Sequence, residues 1–154
     1  MADIRRMKIS IGADHRGFKY KEKIKTLLEE KGIKVKDFGT FSKDSVDYPD
    51  FGRQVAESVI KKEVDYGIAI CGSGNGMMMI ANKVKGIRAG LAINPEMAEL
   101  ARAHNDANVL VLSEMFTPEN LLNEILNKFL NTDFEGGRHQ RRVSKINDYD
   151  KGKK

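Results

Sequence analysis

The segment Tyr66-Gly-Ile-Ala-Ile-Cys-Gly-Ser-Gly-Asn-Gly-Met77 constrains the fold more than any other part of the sequence. A short apolar run over residues 68–70 ends at the chain's one cysteine, Cys71. Glycines alternate behind it at Gly72, Gly74 and Gly76, and residues 77–84 then read as a helix closed by Gly86. This is the pattern of a strand, a tight turn and a helix N-terminus. Such a turn aims several backbone N–H groups into one small volume, and the helix dipole adds positive potential there. It suits a group that is anionic or becomes so.

Spacing separates the chemistries that use such a loop. A phosphate-binding P-loop needs Gly-Lys-Ser/Thr, where this chain has Gly76-Met77-Met78. In a dinucleotide fingerprint the third glycine falls one residue further on, and Asn94-Pro95-Glu96 matches its acidic partner poorly. A cysteine phosphatase loop clamps phosphate with an arginine at the place of Met77, and Ser73 does not stand in a G-x-S-x-G elbow. What remains is the Cys71 thiol beside the amides of Gly72, Ser73, Gly74, Asn75 and Gly76. That arrangement suits a base next to an oxyanion site. The plainer alternative is a buried structural cysteine followed by a turn, because free cysteine is among the most buried residue types.

The rest of the chain repeats the strand–helix alternation. Strands are predicted over residues 8–13, 33–38, 66–71, 87–93 and 109–112. Helices are predicted over 18–31, about 51–62, 77–84, onward from Pro95, and around 121–129. In the first helix Ile24, Leu27 and Leu28 point inward and the lysines outward, with Gly32 as the stop. In the fourth, Ala98, Leu100 and Ala101 form the packed face. Residues 39–49 read as a loop in which Tyr48, held by Pro49, either lines a pocket or simply packs. The Met77–Met79 cluster reads as core or interface filler. Residues 1–6 read as a short leader, and residues 131–154 as a polar tail that frays from 148 onward. Five alternations with short loops predict one α/β domain over 1–154, with a five-stranded parallel sheet covered by helices on both faces. The first strand ends at Asp14-His15, so two chemically rich turns fall where a topological switch point places a site. A helix N-cap is the plainer role for Asp14.

No apolar run reaches membrane-spanning length, and the N-terminal residues lack the apolar core of a signal peptide. A single cysteine forms no internal disulfide, which points to a reducing compartment and a cytoplasmic location. The net charge is +5, and much of the excess lies in residues 138–154 with no interleaved aromatic stripe. A small anionic substrate accounts for that cluster better than nucleic acid does. His15, His104 and His139 all stand beside polar or basic neighbours, in the pairs Asp14-His15 and His104-Asn105 and the cluster Arg138-His139…Arg142. None of them shares a short metal-ligand spacing with another or with Cys71, so no metal site is expected.

Six motifs in order carry a resemblance: Gly12-Ala-Asp-His15, Ser45-Val-Asp-Tyr-Pro49, Cys71-Gly-Ser-Gly-Asn-Gly76, Ala81-Asn-Lys83 with Gly86-Ile-Arg88, His104-Asn-Asp-Ala-Asn108 and Gly136-Gly-Arg-His139. From about residue 8 to about 146 the chain resembles the type B ribose-5-phosphate isomerases, a family that includes galactose- and allose-6-phosphate isomerases. The resemblance implies a Rossmann-like three-layer sandwich and an aldose–ketose isomerase of the pentose phosphate pathway. The enzyme would work through a cis-enediolate without cofactor or metal. It also implies a homodimer or dimer of dimers with shared active sites, the 131–154 tail reaching toward the partner. By position, Cys71 matches the base, Ser73 and the amides of Gly72–Gly76 the anion hole, His104 the ring-opening group, and Asp14 the group that handles hydroxyl protons. Tyr48 and Asn105 match sugar contacts, and His15, Arg138 and Arg142 the phosphate site. One departure stands out: Met115 occupies the place where many members carry an arginine that can reach phosphate. Isomerisation of a six-carbon sugar phosphate is the first alternative reading, and a non-catalytic ligand-binding module the second.

Overall fold

The computed structural model describes residues 3–152. The strands are β1 (Lys8–Ala13), β2 (Lys34–Asp37), β3 (Tyr66–Cys71), β4 (Ala89–Leu91) and β5 (Val109–Ser113). All pair in parallel, in the order β2-β1-β3-β5-β4. The helices are α1 (Phe18–Glu30), α2 (Tyr48–Ile60), α3 (Asn75–Lys83), α4 (Pro95–Asn105), α5 (Leu122–Asn131) and α6 (Arg138–Asp150). The strand order turns outward in opposite directions from β1 and β3, so the turns after these two strands flank the crevice of a doubly wound sheet. No helix among the described residues is long and apolar enough to cross a membrane.

The two-residue period of the strands sorts their side chains into two cores. Ile9, Ile11, Ile68, Ile70, Leu110 and Leu112 face one side, where they pack with residues of α1, α4 and α5 such as Ile24, Ala98 and Phe129. Ala69, Cys71, Val109 and Val111 face the other, against Val55 and Ala56 of α2 and Met77 and Ala81 of α3. Helix α2 lies unusually close to the sheet. A Cβ at Gly12 would stand 2.8 Å from a Val55 methyl, and one at Gly67 2.5 Å from the other methyl of the same side chain. Glycine at these strand positions is what lets α2 seat.

The structure departs from the sequence expectations in four places. Tyr48 and Pro49 form the first turn of α2 rather than a loop, because proline suits the first helical positions. Leu100 is half-exposed, and Ala98, Ala101 and Arg102 make the packed face of α4. Lys21 of α1 is not outward: it is fully buried, with its Nζ 2.6 Å from the Asp37 carboxylate. Its ammonium also lies 5.6 and 5.1 Å from the centroids of the Phe18 and Phe41 rings. Residues 138–150 are helical rather than a tail, buried through His139 and Val143 one turn apart. This helix is tied down by Arg88 Nη1 donating to Asn147 Oδ1 at 2.9 Å and the Gly86 N–H to Asp150 Oδ2 at 2.7 Å. Lys153 and Lys154, the end of the expected fray, lie outside the described residues.

The Lys21–Asp37 pair generates a stability prediction. Lys21→Met leaves a nearly buried carboxylate without its main partner and is expected to cost about 3–5 kcal/mol. Lys25→Met removes a partly exposed cation 3.4 Å from the same carboxylate and is expected to cost under ~1 kcal/mol. Chemical denaturation of the two variants beside the parent checks the difference.

Candidate active site

The parallel register brings three turns together at the C-terminal edge of the sheet. Ala13 stands opposite Ile70, and Cys71 opposite Ser113. The Asp14 N–H donates to the Ile70 carbonyl at 3.3 Å, and the Glu114 and Met115 N–H groups donate to the carbonyls of Cys71 and Gly72 at 3.0 and 2.9 Å. Asp14, buried, accepts the Gly17 N–H on Oδ1 at 3.0 Å, so it braces the entry to α1 while lying close enough to Cys71 to act on its charge. His15 accepts the Val46 N–H on Nδ1 at 3.2 Å, which leaves its other nitrogen to carry the proton in the neutral ring.

Cys71 ends β3 on the α2–α3 face and is 4% exposed. Gly74 takes φ +88° to turn the chain into α3, a conformation open to glycine at little cost. The Tyr48 ring packs on Gly76, where any Cβ would overlap it. Tyr48 therefore packs, as the plainer of its two readings proposed, and it does so on the glycine turn beside the thiol. Ser73 Oγ accepts the Asn75 N–H at 3.2 Å.

The thiol corrects one expectation. A cysteine at a helix N-terminus is expected to ionise easily. Here burial is the largest influence and pushes the Cys71 thiol up. The N–H groups of Met77, Gly74 and Gly76 pull it back only partly, and the Asp14 carboxylate pushes with burial. The amide cradle is real, but in the lone chain part of it is aimed at the sulfur. Met77 belongs to it through its backbone, a role its side chain could not signal.

The second group of expected residues lies at the other end of the sheet. Helix α4 leaves the C-terminal end of β4 and runs back, ending at His104 and Asn105. The Asn105 carbonyl accepts from Arg88 Nε at 3.1 Å, just ahead of β4, and Val109 pairs with Gly67 near the start of β3. His104 is thus separated from Cys71 of its own chain by the length of β3, roughly 16 Å. It stacks on His139 with ring centroids 4.1 Å apart and planes within 10°. Glu135 lies 3.8 Å from His104 Nε2 and 3.6 Å from His139 Nε2. Burial lowers the His139 pKa, with His104, Arg138 and Arg142 adding to it and Glu135 opposing. Arg138 and Arg142 are exposed on the first turns of α6 and form no ion pair among the described residues.

Histidine spacing alone gave no sign of this trio; the four-residue separation of Glu135 and His139 is the nearest signal, although Glu135 lies ahead of α6. Its three ligand atoms lie within 4.8 Å of one another. Nearly parallel rings, however, keep their in-plane lone pairs in separate planes, so one ion could not meet both without a ring turning. The sequence also gave no weight to Arg16 and Glu114, whose side chains meet at 3.4 Å above the Cys71 turn.

Comparison with known proteins finds close relatives across almost the whole chain. The family model described as Ribose/Galactose Isomerase matches residues 9–146. The chain is 45% identical to ribose-5-phosphate isomerase B of Escherichia coli, over 90% of this chain and 93% of that one. The structure superposes on a ribose-5-phosphate isomerase B of Clostridium thermocellum with a TM-score of 0.93 at 49% identity, covering 95% and 99% of the two chains. It superposes on the Mycoplasma genitalium enzyme, solved with bound ribulose-5-phosphate, with a TM-score of 0.90 at 44% identity, covering 95% and 97%.

The raised thiol sets a pH dependence. Cys71 is protonated at neutrality, so its alkylation by iodoacetamide is expected to be slow there and to climb only above the ordinary cysteine pKa of about 8.5. Asp14→Asn removes a charge that opposes the thiolate and is expected to move the curve to lower pH. Mass spectrometry of the single cysteine at a series of pH values checks both.

Proposed function

The chain belongs to the ribose/galactose isomerase family, and on that premise we propose that it interconverts ribose 5-phosphate and ribulose 5-phosphate through a cis-enediolate. The observation that carries the chemistry is the grouping of Cys71, Asp14 and the amides of the glycine turn at one edge of the sheet. A proton alpha to a carbonyl is weakly acidic, and its removal needs a base together with stabilisation of the developing oxyanion. In this reading the Cys71 thiolate takes the proton from C2 of the open-chain aldose. The amides of Gly72 to Gly76, with Ser73, hold the enediolate oxygen. The proton on sulfur then returns to C1, while Asp14 carries the hydroxyl proton from O2 to O1. A raised thiol pKa reduces the thiolate fraction at neutrality but makes the sulfur a stronger base toward carbon.

The separation of the two groups of residues supports a site shared between two copies. His104, Asn105, Arg138 and Arg142 cannot reach the Cys71 turn of their own chain. In a symmetric dimer the sugar-side edge of one copy faces the basic end of the other. His104 of the second copy then opens the furanose ring, Asn105 and Tyr48 contact the sugar, and Arg138 and Arg142 meet the phosphate with His15. Planar guanidinium groups suit that end because they bind two phosphate oxygens at once. Exposed apolar side chains near the thiol edge, Phe41, Tyr48, Met115 and Phe116, fit contact with another copy.

The test is an isomerase assay with ribose 5-phosphate as substrate. Cys71→Ala is expected to lower kcat by about two to four orders of magnitude with the fold intact. Residual activity near that of the parent would remove Cys71 as the base. The shared site has its own test. Cys71→Ala and His104→Ala proteins, each inactive, are unfolded together, refolded and assayed. Random pairing leaves one intact site in each mixed dimer, so about a quarter of parental activity is expected to return; no recovery would show that each copy supplies both residues to one site.

A further inference from the structure

Three turns converge over Gly72: residues 14–17 after β1, 72–76 after β3 and 113–117 after β5. Arg16 carries the one permanent positive charge on them. Its stem stands 3.8 Å from where a Cβ on Gly72 would lie, and the Met115 sulfur stands 3.6 Å from the same point. The guanidinium reaches over the turn to Glu114 Oε2 at 3.4 Å, with the arginine side chain 53% exposed and the glutamate 34%. The backbone under Arg16 is fixed, since Gly17 donates to both the carbonyl and the carboxylate of Asp14.

From this geometry we propose that Arg16 is a substrate-binding residue, the cation that this end of the site presents to the sugar's phosphate, with Glu114 holding it until substrate arrives. The proposal rests on the isomerase reading above. An exposed ion pair at 3.4 Å is a weak interaction. A dianionic phosphate offers the planar fork two short, charge-assisted hydrogen bonds in exchange. Met115, beside the same point of the turn, offers a phosphate nothing comparable, so on these turns the charge rests with Arg16 and its neighbour His15. The charged side chain that bears on the Cys71 thiol is Asp14. Arg16 leans toward Glu114 and the mouth of the site, and its effect belongs to binding rather than to proton transfer.

Steady-state kinetics with ribose 5-phosphate, and inhibition by inorganic phosphate, test this. Arg16→Ala and Arg16→Gln are expected to raise KM and the phosphate inhibition constant roughly tenfold or more, with kcat within about threefold of the parent. Glu114→Gln frees the guanidinium and is expected to lower both constants. The discriminating variant is Met115→Arg in the Arg16→Ala background, which restores a guanidinium beside the same point of the turn and is expected to recover most of the lost affinity. Parental KM and phosphate inhibition in the Arg16 variants would overturn the assignment while leaving the isomerase reading intact. A parent protein with no activity on ribose 5-phosphate would instead overturn that reading.

Discussion

The parallel register of β1, β3 and β5 is the constraint on which the rest depends. It aligns Ala13 with Ile70 and Cys71 with Ser113, so three chain turns emerge side by side at one edge. The backbone bonds from Asp14, Glu114 and Met115 into β3 and its turn then lock those turns to one another. The same rule sends every helix back toward the opposite edge. A residue at a strand's end and a residue at a helix's end are therefore placed at opposite poles of the molecule. Cys71 and Asp14 are of the first kind, and His104 is of the second. The distribution of acid–base groups follows from topology before any side chain is considered.

At the thiol, two effects of helix geometry compete. The start of α3 supplies N–H groups from Gly74, Gly76 and Met77, which favour the thiolate. The turn that delivers them also packs Cys71 under α2 and α3 beside Val55 and Met77, and loss of water favours the neutral thiol. Burial wins, with help from Asp14. Desolvation of a buried acid can shift its pKa by several units, more than a few partial charges recover. Under the proposed chemistry this balance is useful, since a base for a carbon acid gains strength as its pKa rises.

Most of the fold was legible because it rests on periodicity. The alternation in residues 8–13 and 66–71, the glycine after the first helix and the proline at the start of the fourth each mark an element that the structure contains. What failed was local logic overruled by partners distant in sequence. Lys21 looks like a surface lysine until Asp37 and two aromatic rings close over it. The segment ending at Pro49 proves to be a helix start, and its Tyr48 packs on Gly76 from a different element. At the candidate site, residue types and order singled out the candidate groups. Only coordinates could show that they fall into two clusters, because strand direction, and not spacing along the chain, decides which end of the sheet a residue reaches.

Helix α6 shows how a segment that reads as a solvated tail becomes ordered. Its inward stripe is thin, with His139 and Val143 buried and Ile146 half-exposed. An apolar face of that size contributes only a few kcal/mol. Polar pins complete the docking: Arg88 to Asn147 and Gly86 to Asp150, both drawn from the segment that leads into β4. Once the helix is fixed, Arg138 and Arg142 stand exposed one turn apart on its flank, with no ion pair among the described residues. Among the described residues, much of the chain's positive excess therefore lies on an ordered helix at the end of the sheet remote from the thiol. A long polyanion would call for a basic stripe running across the molecule. Two forked cations one turn apart on a single helix suit a compact dianion instead, which is the reason a net charge of +5 fits a small phosphorylated substrate.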